Sequence, residues 1–143
     1  MASQSEMNEP RQRRLLVVDD EPSICELVKR VAEDAGFSVA TAVTHAQFRA
    51  AYDRFKPSAI IFDLVMPEVD GVALMKLLAD WHCHARLMII SGYHPELLKS
   101  GERLADDYDI DVRATLHKPF GVPELQNALR TLTDDRQRAF ASP

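Results

Sequence analysis

The stretch Ala-Ile-Ile-Phe-Asp-Leu-Val-Met-Pro, residues 59–67, decides the fold, and Asp63 at its centre is the residue that most needs explanation. Residues 59–62 are continuously apolar, too few for a helix, and bounded by Pro57 and Pro67. This pattern predicts a short buried strand with Asp63 at its carboxyl end. Open α/β sheets form their sites along that edge. Because aspartate also caps turns that follow strands, Asp63 alone leaves a structural and a functional interpretation open.

Length and composition indicate a soluble domain of ordinary size. The chain has 143 residues, 46% of them hydrophobic and 27% charged, and no apolar run approaches the roughly 18 residues that span a bilayer. The formal net charge of -5 disfavours direct binding of nucleic acid, because a phosphate backbone requires a basic face. Two distant cysteines, Cys25 and Cys83, and the lack of a secretory pattern in residues 1–14 predict a cytoplasmic location without membrane association.

Other apolar segments also have the pattern of buried strands, and amphipathic segments separate them. The first helical segment begins at Pro22, carries apolar residues at helical spacing and stops at Gly36. Thr44 and Gln47 have the spacing of a capping box at the start of the second. The alternation predicts parallel βαβ units and a doubly wound α/β sheet with helices on both faces. The predicted strands are residues 15–18, 37–42, 59–62, 87–90 and 115–117.

The two ends of the chain and one internal segment show weaker patterns. After Pro95 the spacing is helical, but Ser100 and Gly101 predict a break before residue 103. The termini are polar and without period. The sequence therefore predicts a tail over residues 1–13, one domain over residues 14–132 and a second tail over residues 133–143.

Reactive side chains follow the predicted strands. All βα turns of a parallel sheet lie at one edge, so groups from different strands converge there. Several carboxylates in one place repel one another unless a pKa rises or a hard cation binds, and an oxygen-only cluster with open positions favours Mg²⁺. A lysine offers charge to an anion, a serine offers a hydroxyl donor, and an aspartate oxygen can form an aspartyl phosphate. The residues that together predict a phosphoryl-accepting site are Asp19, Asp20, Asp63, Ser91 and Lys118.

Motifs at these positions resemble the receiver domain of bacterial response regulators. They are Val-Val-Asp-Asp-Glu at 17–21, Asp-Leu-Val-Met-Pro at 63–67, Ser-Gly at 91–92 and Lys-Pro-Phe at 118–120. Their order and their places at strand ends also match, and the resemblance covers residues 14–132. It implies a five-stranded sheet of flavodoxin-like order 2-1-3-4-5. It also implies a cytoplasmic phosphoacceptor switch of two-component signalling, which is not an enzyme in the usual sense.

The resemblance implies how the phosphoryl group and the metal are held. Asp63 accepts the phosphoryl group from a phosphohistidine, carried by a sensor histidine kinase or a phosphotransfer protein. Mg²⁺ is bound by Asp19, Asp20, Asp63 and the backbone carbonyl of Val65. Each of these residues stands at the matching position of the family's motif.

By the same resemblance Ser91 and Lys118 contact the phosphoryl oxygens, and Ser91 also belongs to the switch that responds to phosphorylation. Thr115 stands where the family usually has a tyrosine or phenylalanine that turns inward, so this part of the switch departs from the pattern. The segment between Ser91 and Lys118 is also several residues longer than usual and contains an acidic run at residues 106–111.

Different functions follow from these features. The first is a single-domain phosphorylation switch that changes its binding to an unknown downstream protein. The enzyme alternative is a phosphatase of the haloacid dehalogenase type, but that family needs a second acid two residues after the aspartate, where this chain has Val65. The third is a nucleotide- or flavin-binding module, but the first βα turn, Asp-Asp-Glu-Pro-Ser, is not a phosphate cradle.

Further expectations concern the lifetime of the phosphoryl group and the position of the tryptophan. Val65 and Tyr93 are expected to flank the path of a hydrolytic water without assisting its attack, which predicts slow self-dephosphorylation. Trp81 lies about ten residues, or roughly 15 Å of helix, from the start of its helix near the site. It is therefore predicted at the opposite edge of the sheet.

Overall fold

The computed structural model describes residues 13–66, 71–92 and 95–133, with only the backbone of residues 71 and 72. Within this part of the chain, strands and helices alternate without exception. The elements are β1 (Arg14–Val18), α1 (Pro22–Asp34), β2 (Ser38–Ala42), α2 (His45–Phe55), β3 (Ala59–Asp63), α3 (Gly71–Asp80), β4 (Arg86–Ser91), α4 (Pro95–Asp107), β5 (Val112–His117) and α5 (Val122–Thr131).

The strands form a parallel sheet in the order β2-β1-β3-β4-β5. This order confirms the doubly wound, flavodoxin-like fold. β3 lies at the centre, paired with β1 from Leu15↔Ala59 onward and with β4 as far as Asp63↔Ile90. Every residue of β3 is buried, as the continuous apolar run predicts. Asp63 thus ends the central strand with the ends of β1 and β4 on either side.

Alternate side chains of the strands pack into two hydrophobic cores, one on each face of the sheet. Ile60 and Phe62 face the core that α2, α3 and α4 cover, whereas Ala59 and Ile61 face the core under α1 and α5. All four of these side chains have no accessible surface. Burial of each large apolar side chain stabilises the fold by roughly 1.5–3 kcal/mol, so the two layers fix the register of the central strand.

The predicted helix boundaries are set by local hydrogen bonds. Gly36, with φ of 96°, ends α1, and the amide of Phe37 donates to the carbonyl of Ala32 at 3.0 Å. Thr44 caps α2, because its hydroxyl oxygen accepts from the amide of Gln47 at 3.1 Å. The Gln47 side chain accepts from the Val43 amide at 2.8 Å, one residue before the position used in a capping box.

The predicted break at Ser100 and Gly101 is wrong, because α4 is continuous from Pro95 to Asp107. Gly101 is buried against α3 and the chain after β3. A Cβ atom at this position would lie 3.6 Å from Leu64 Cδ2 and from Met75 Sδ. The glycine is therefore part of a packed helix face, and packing outweighs its weak helix propensity.

β5 begins at Val112, three residues before the predicted start. The register shifts opposite Leu87 and Met88, which pair with Val112 and Ala114, so Arg113 is the extra residue of a bulge. Arg113 Nε donates to Asp111 Oδ1 at 2.9 Å. The charged Arg113 interrupts the apolar pattern, so the first half of the strand was not predicted from the sequence.

The predicted tails lie almost entirely outside the described residues, as do Pro67 and Tyr93. The innermost residue of each tail bonds to the fold. Arg13 Nη1 donates to Ala35 O at 3.1 Å, and the Thr133 amide donates to Arg130 O at 3.2 Å. Among the described residues, no helix combines the length and apolar character required to cross a membrane.

Candidate functional site

The carboxyl ends of the strands bring the predicted site residues to one edge. Asp19 directly follows β1, and its amide extends the ladder by donating to Ala42 O of β2 at 3.1 Å. Asp63 and Ser91 are the last residues of β3 and β4. Lys118 directly follows β5, and its amide donates to Ser91 O at 2.8 Å. Parallel pairing continues past the strand ends, so these side chains are fixed relative to one another.

The ammonium group of Lys118 is the centre of the described site. Its Nζ atom lies 2.8 Å from Asp63 Oδ2, 2.9 Å from Glu21 Oε2 and 3.1 Å from Asp19 Oδ2. The side chains of Asp19 and Asp63 are 0% and 7% exposed, whereas that of Glu21 is 56% exposed. Lys118 therefore joins two buried carboxylates to one at the surface.

Backbone amides hold the other oxygen of each buried carboxylate. Asp19 Oδ1 accepts from the amide of Glu21 at 2.9 Å, and Asp63 Oδ1 accepts from the amide of Val65 at 2.9 Å. Each acid thus bonds through Oδ1 to the amide two residues later and presents Oδ2 to Lys118. This arrangement fixes both side chains before any ligand binds.

The surroundings of the site raise the pKa values of both Asp19 and Lys118. Burial raises the pKa of Asp19, assisted by the negative charge of Asp63, while the Glu21 amide and Lys118 oppose the rise. Burial by itself lowers the pKa of Lys118, but hydrogen bonds to Asp63 and Glu21 and the contact with Asp19 outweigh it and raise this pKa overall. Lys118 accordingly remains an ammonium ion at neutral pH, which is the form that binds an anion.

Carboxylate oxygens of Asp19, Asp20 and Asp63 lie within 4.8 Å of one another and fit a divalent cation. Asp20 is the most exposed of the three. Asp19 Oδ2 is fully buried and, despite its ion pair with Lys118, has no well-oriented hydrogen bond to any residue that the structure describes. A hard cation would satisfy this oxygen, and an oxygen-only donor set open to solvent matches the preference of Mg²⁺.

The remaining predicted residues surround this cluster. Ser91 is buried, and its hydroxyl donates to Gly92 O at 2.9 Å instead of to the acids. Val65 is 42% exposed at the start of the loop after β3. Thr115 is half-buried in β5, opposite Ile89 of β4.

The contact between Glu21 and Lys118 was not predicted from the sequence. Glu21 completes the Asp-Asp-Glu motif, yet nothing in the spacing shows that it reaches Lys118, 97 residues later. The available signal was its position directly after the acid pair in the same βα turn.

Comparison with known families identifies the family of this chain. The sequence matches the family described as the response regulator receiver domain over residues 15–130. The chain belongs to the response regulator receiver domain family. Receiver domains take phosphoryl groups from histidine kinases and are phosphoacceptor switches, not classical enzymes. The phosphatase of the haloacid dehalogenase type finds no support.

Curated relatives of this receiver domain include regulators of transcription. The transcriptional regulatory protein TrcR of Mycobacterium tuberculosis is 29% identical, over 83% of this chain and 44% of its own length. The DNA-binding dual master transcriptional regulator RpaA of Synechocystis is 31% identical, over 83% of this chain and 48% of its own. The chain thus spans about half the length of these relatives.

Solved structures agree with the fold. The receiver domain of NtrX from Brucella abortus is 29% identical, with a TM-score of 0.71, over 82% of this chain and 97% of that one. The signal receiver domain of a response regulator from Bermanella marisrubri gives a TM-score of 0.73 at 23% identity, over 85% and 98%. At that lower identity the likeness speaks for the fold alone.

Proposed function

We propose that Asp63 of this receiver domain accepts a phosphoryl group from a phosphohistidine on a sensor kinase or phosphotransfer protein. The phosphorylated domain, residues 14–132, then signals in the cytoplasm by changing its binding to a downstream protein. The observation that carries the proposal is the 2.8 Å contact between Lys118 Nζ and Asp63 Oδ2 at the buried end of the central strand. It puts a permanent cation beside the oxygen nucleophile where an anionic group must be received.

The transfer follows from the arrangement of these groups. A carboxylate oxygen of Asp63 attacks phosphorus, the phosphorus–nitrogen bond of the phosphohistidine breaks, and its electron pair returns to the imidazole. Lys118 turns from the carboxylate to an oxygen of the arriving phosphoryl group. The Ser91 hydroxyl, which now donates to Gly92 O, exchanges this acceptor for another phosphoryl oxygen. Through this exchange Ser91 reports phosphorylation to β4, and Thr115, in the neighbouring strand, completes the switch.

Asp19, Asp20, Asp63 and the carbonyl of Val65 would hold Mg²⁺. When bound, the ion neutralises charge that otherwise repels an anionic donor. The buried Asp19 Oδ2, with no well-oriented hydrogen bond, supports this assignment. The net charge of -5 supports a protein partner, because nucleic acid requires a basic face.

Incubation with acetyl phosphate and Mg²⁺ tests the proposal. Intact-mass measurement should show the addition of one phosphoryl group, and peptide mapping should place it on Asp63. Asp63→Asn should abolish the mass gain, because an amide is not a nucleophile of this kind. Asp53→Asn, which changes an exposed aspartate of α2, is the matched control and should be labelled normally.

Two results would contradict the proposal. Labelling that persists in Asp63→Asn would move the acceptor to another residue. Equal labelling with excess chelator would show that the reaction does not need the metal and that Lys118 screens the acids without it.

A further inference from the structure

The side chain of Glu21 reaches the site through its contact with Lys118, while its backbone amide donates to Asp19 Oδ1. Its Oε2 lies 2.9 Å from Lys118 Nζ on the solvent side, and its side chain is 56% exposed. The contact connects the turn after β1 with the turn after β5. It is additional to the inner contacts of Lys118 with Asp19 and Asp63.

The side chain of Glu21 has no other structural task in the described contacts. Glu21 is the N-cap residue of α1, with extended backbone angles, but it forms no side-chain cap hydrogen bond. The backbone carbonyl of Glu21 forms the cap hydrogen bonds, because it accepts from the amides of Ile24 and Cys25 at 3.0 and 3.3 Å. A change of the side chain therefore leaves the start of α1 intact.

Lys118 and a divalent cation require the same oxygens. The ammonium group contacts Oδ2 of both Asp19 and Asp63, and these two acids belong to the set that fits a metal. A cation held there draws on the same negative charge and repels Lys118 at short distance. Lys118 must then give up part of its inner contacts, and an ammonium group without a partner in a partly buried place is costly.

We propose that Glu21 is a positioning residue that keeps Lys118 at the mouth of the site when Mg²⁺ takes over the inner carboxylates. The inference rests on the proposed function. Glu21 offers Lys118 a charged partner outside the metal set, so Lys118 can yield to the metal and still remain within reach of Asp63 and an arriving phosphoryl group. Glu21 thereby stabilises the metal-bound state without binding the metal.

Three variants separate this role from a general effect of charge. Glu21→Gln removes the charge, and Glu21→Asp retains the charge but shortens the side chain so that it no longer reaches Lys118. Glu26→Gln removes the charge of an exposed residue on α1 that is not among the contacts of Lys118. The dissociation constant for Mg²⁺ is measured for each 143-residue chain by amide chemical shifts in an NMR titration. Thermal melts with chelator confirm that the variants fold.

Both Glu21 variants should weaken Mg²⁺ binding by about 3–10-fold, which is at or below the lower limit of the roughly 10–100-fold that residues supporting metal ligands contribute, because Glu21 does not touch a metal ligand through its side chain. Glu26→Gln should change it less than about 2-fold, because exposed charges at a distance are screened. A Glu21→Asp variant that binds Mg²⁺ as the wild type does would overturn the inference, since charge alone would then suffice. An equal loss in Glu21→Gln and Glu26→Gln would overturn it as well.

Labelling with acetyl phosphate separates this inference from the proposed function. If the wild type is labelled on Asp63 and the Glu21 variants bind Mg²⁺ normally, only the role of Glu21 is wrong. If the wild type binds Mg²⁺ but is not labelled, the proposed phosphoacceptor function is wrong. The ranking of the three variants in Mg²⁺ affinity still decides the role of Glu21 in that case.

Discussion

Carboxylates outnumber cations around Lys118. Asp19, Glu21 and Asp63 contact its ammonium group, and Asp20 joins Asp19 and Asp63 in the metal-binding set. Among the described residues, one positive charge does not balance four negative ones, so this part of the metal-free site contains unrelieved repulsion. Sites that are built to bind a ligand often reduce the stability of the free protein in this way.

Asp20→Asn should stabilise the metal-free protein and weaken its binding of Mg²⁺. Asp20 is exposed and is not among the contacts of Lys118, so its charge adds repulsion without an ion pair in the described part of the chain. With chelator, urea denaturation should show a free energy of unfolding that is higher by about 0.5 kcal/mol. With saturating Mg²⁺, the Asp20→Asn variant should instead have a lower free energy of unfolding than the wild type. Glu26→Gln is the control, and an Asp20→Asn variant that is less stable in chelator would show that Asp20 makes a favourable contact.

Val65→Asn should shorten the lifetime of the phosphoryl group. Val65 is 42% exposed, so the substitution leaves the core intact, and its amide continues to bind Asp63 Oδ1. An asparagine amide can position a water for in-line attack, which valine cannot. The decay of labelled protein after removal of the donor, at constant Mg²⁺, measures the effect.

Tyr93→Ala, at a position outside the described residues, should also speed the decay, because removal of the ring opens the expected path of the water. If neither variant decays faster than the parent, the lifetime is controlled by Ser91, Lys118 or a partner phosphatase.

Gly101→Ala should stabilise α4. The position lies in the middle of a helix, and a Cβ atom there would make ordinary contacts at 3.6 Å with Leu64 and Met75. Alanine costs less backbone entropy than glycine in a helix, so urea denaturation should show a free energy of unfolding about 0.5–1 kcal/mol higher. Gly36→Ala is the opposing control, because Gly36 has φ of 96° and a Cβ atom would lie 2.7 Å from Arg13 Nη1. Destabilisation by Gly101→Ala would show that the helix packs too closely for a methyl group.

The central elements could be predicted from the sequence because their patterns are continuous. Residues 15–18 and 59–62 have no polar interruption and form β1 and β3 almost as predicted. The start of β5 could not, because the bulge at Arg113 breaks the alternation. The continuity of α4 through Gly101 was missed for a related reason, since a glycine that packs against Leu64 looks like a glycine in a turn until its neighbours are known.

The convergence of the candidate site residues at one edge could be predicted, because topology alone brings the strand ends together. Asp19, Asp63 and Lys118 follow directly from the parallel order of the strands. The contact of Glu21 with Lys118 depends on the path of two turns and on side-chain reach, which no periodicity describes. Long-range ion pairs of this kind are therefore visible only in three dimensions.

The doubly wound fold separates two ends of the molecule. The acids and Lys118 occupy the edge at the carboxyl ends of the strands, and α3 runs from near this edge back to Trp81, just beyond its last residue. Trp81 stacks on Phe48 of α2 at 5.8 Å between ring centroids and contacts Tyr52 at 4.6 Å. The guanidinium carbon of Arg49 lies 5.6 Å from the Trp81 ring centroid. The indole thus belongs to a cluster between α2 and α3.

Binding of Mg²⁺ should therefore leave the fluorescence of Trp81 nearly unchanged, whereas unfolding should change it strongly. The indole lies roughly a helix length of 15 Å from the start of α3, and its immediate neighbours are aromatic rings and Arg49. A Mg²⁺ titration of intrinsic fluorescence measures the first effect, and urea denaturation measures the second.

A Trp81→Phe, Phe120→Trp double variant is the positive control. Its indole stands two residues after Lys118, where a change in the charge of the site acts at short range. Saturable quenching of Trp81 in the wild type by Mg²⁺ would contradict this placement of the indole away from the site.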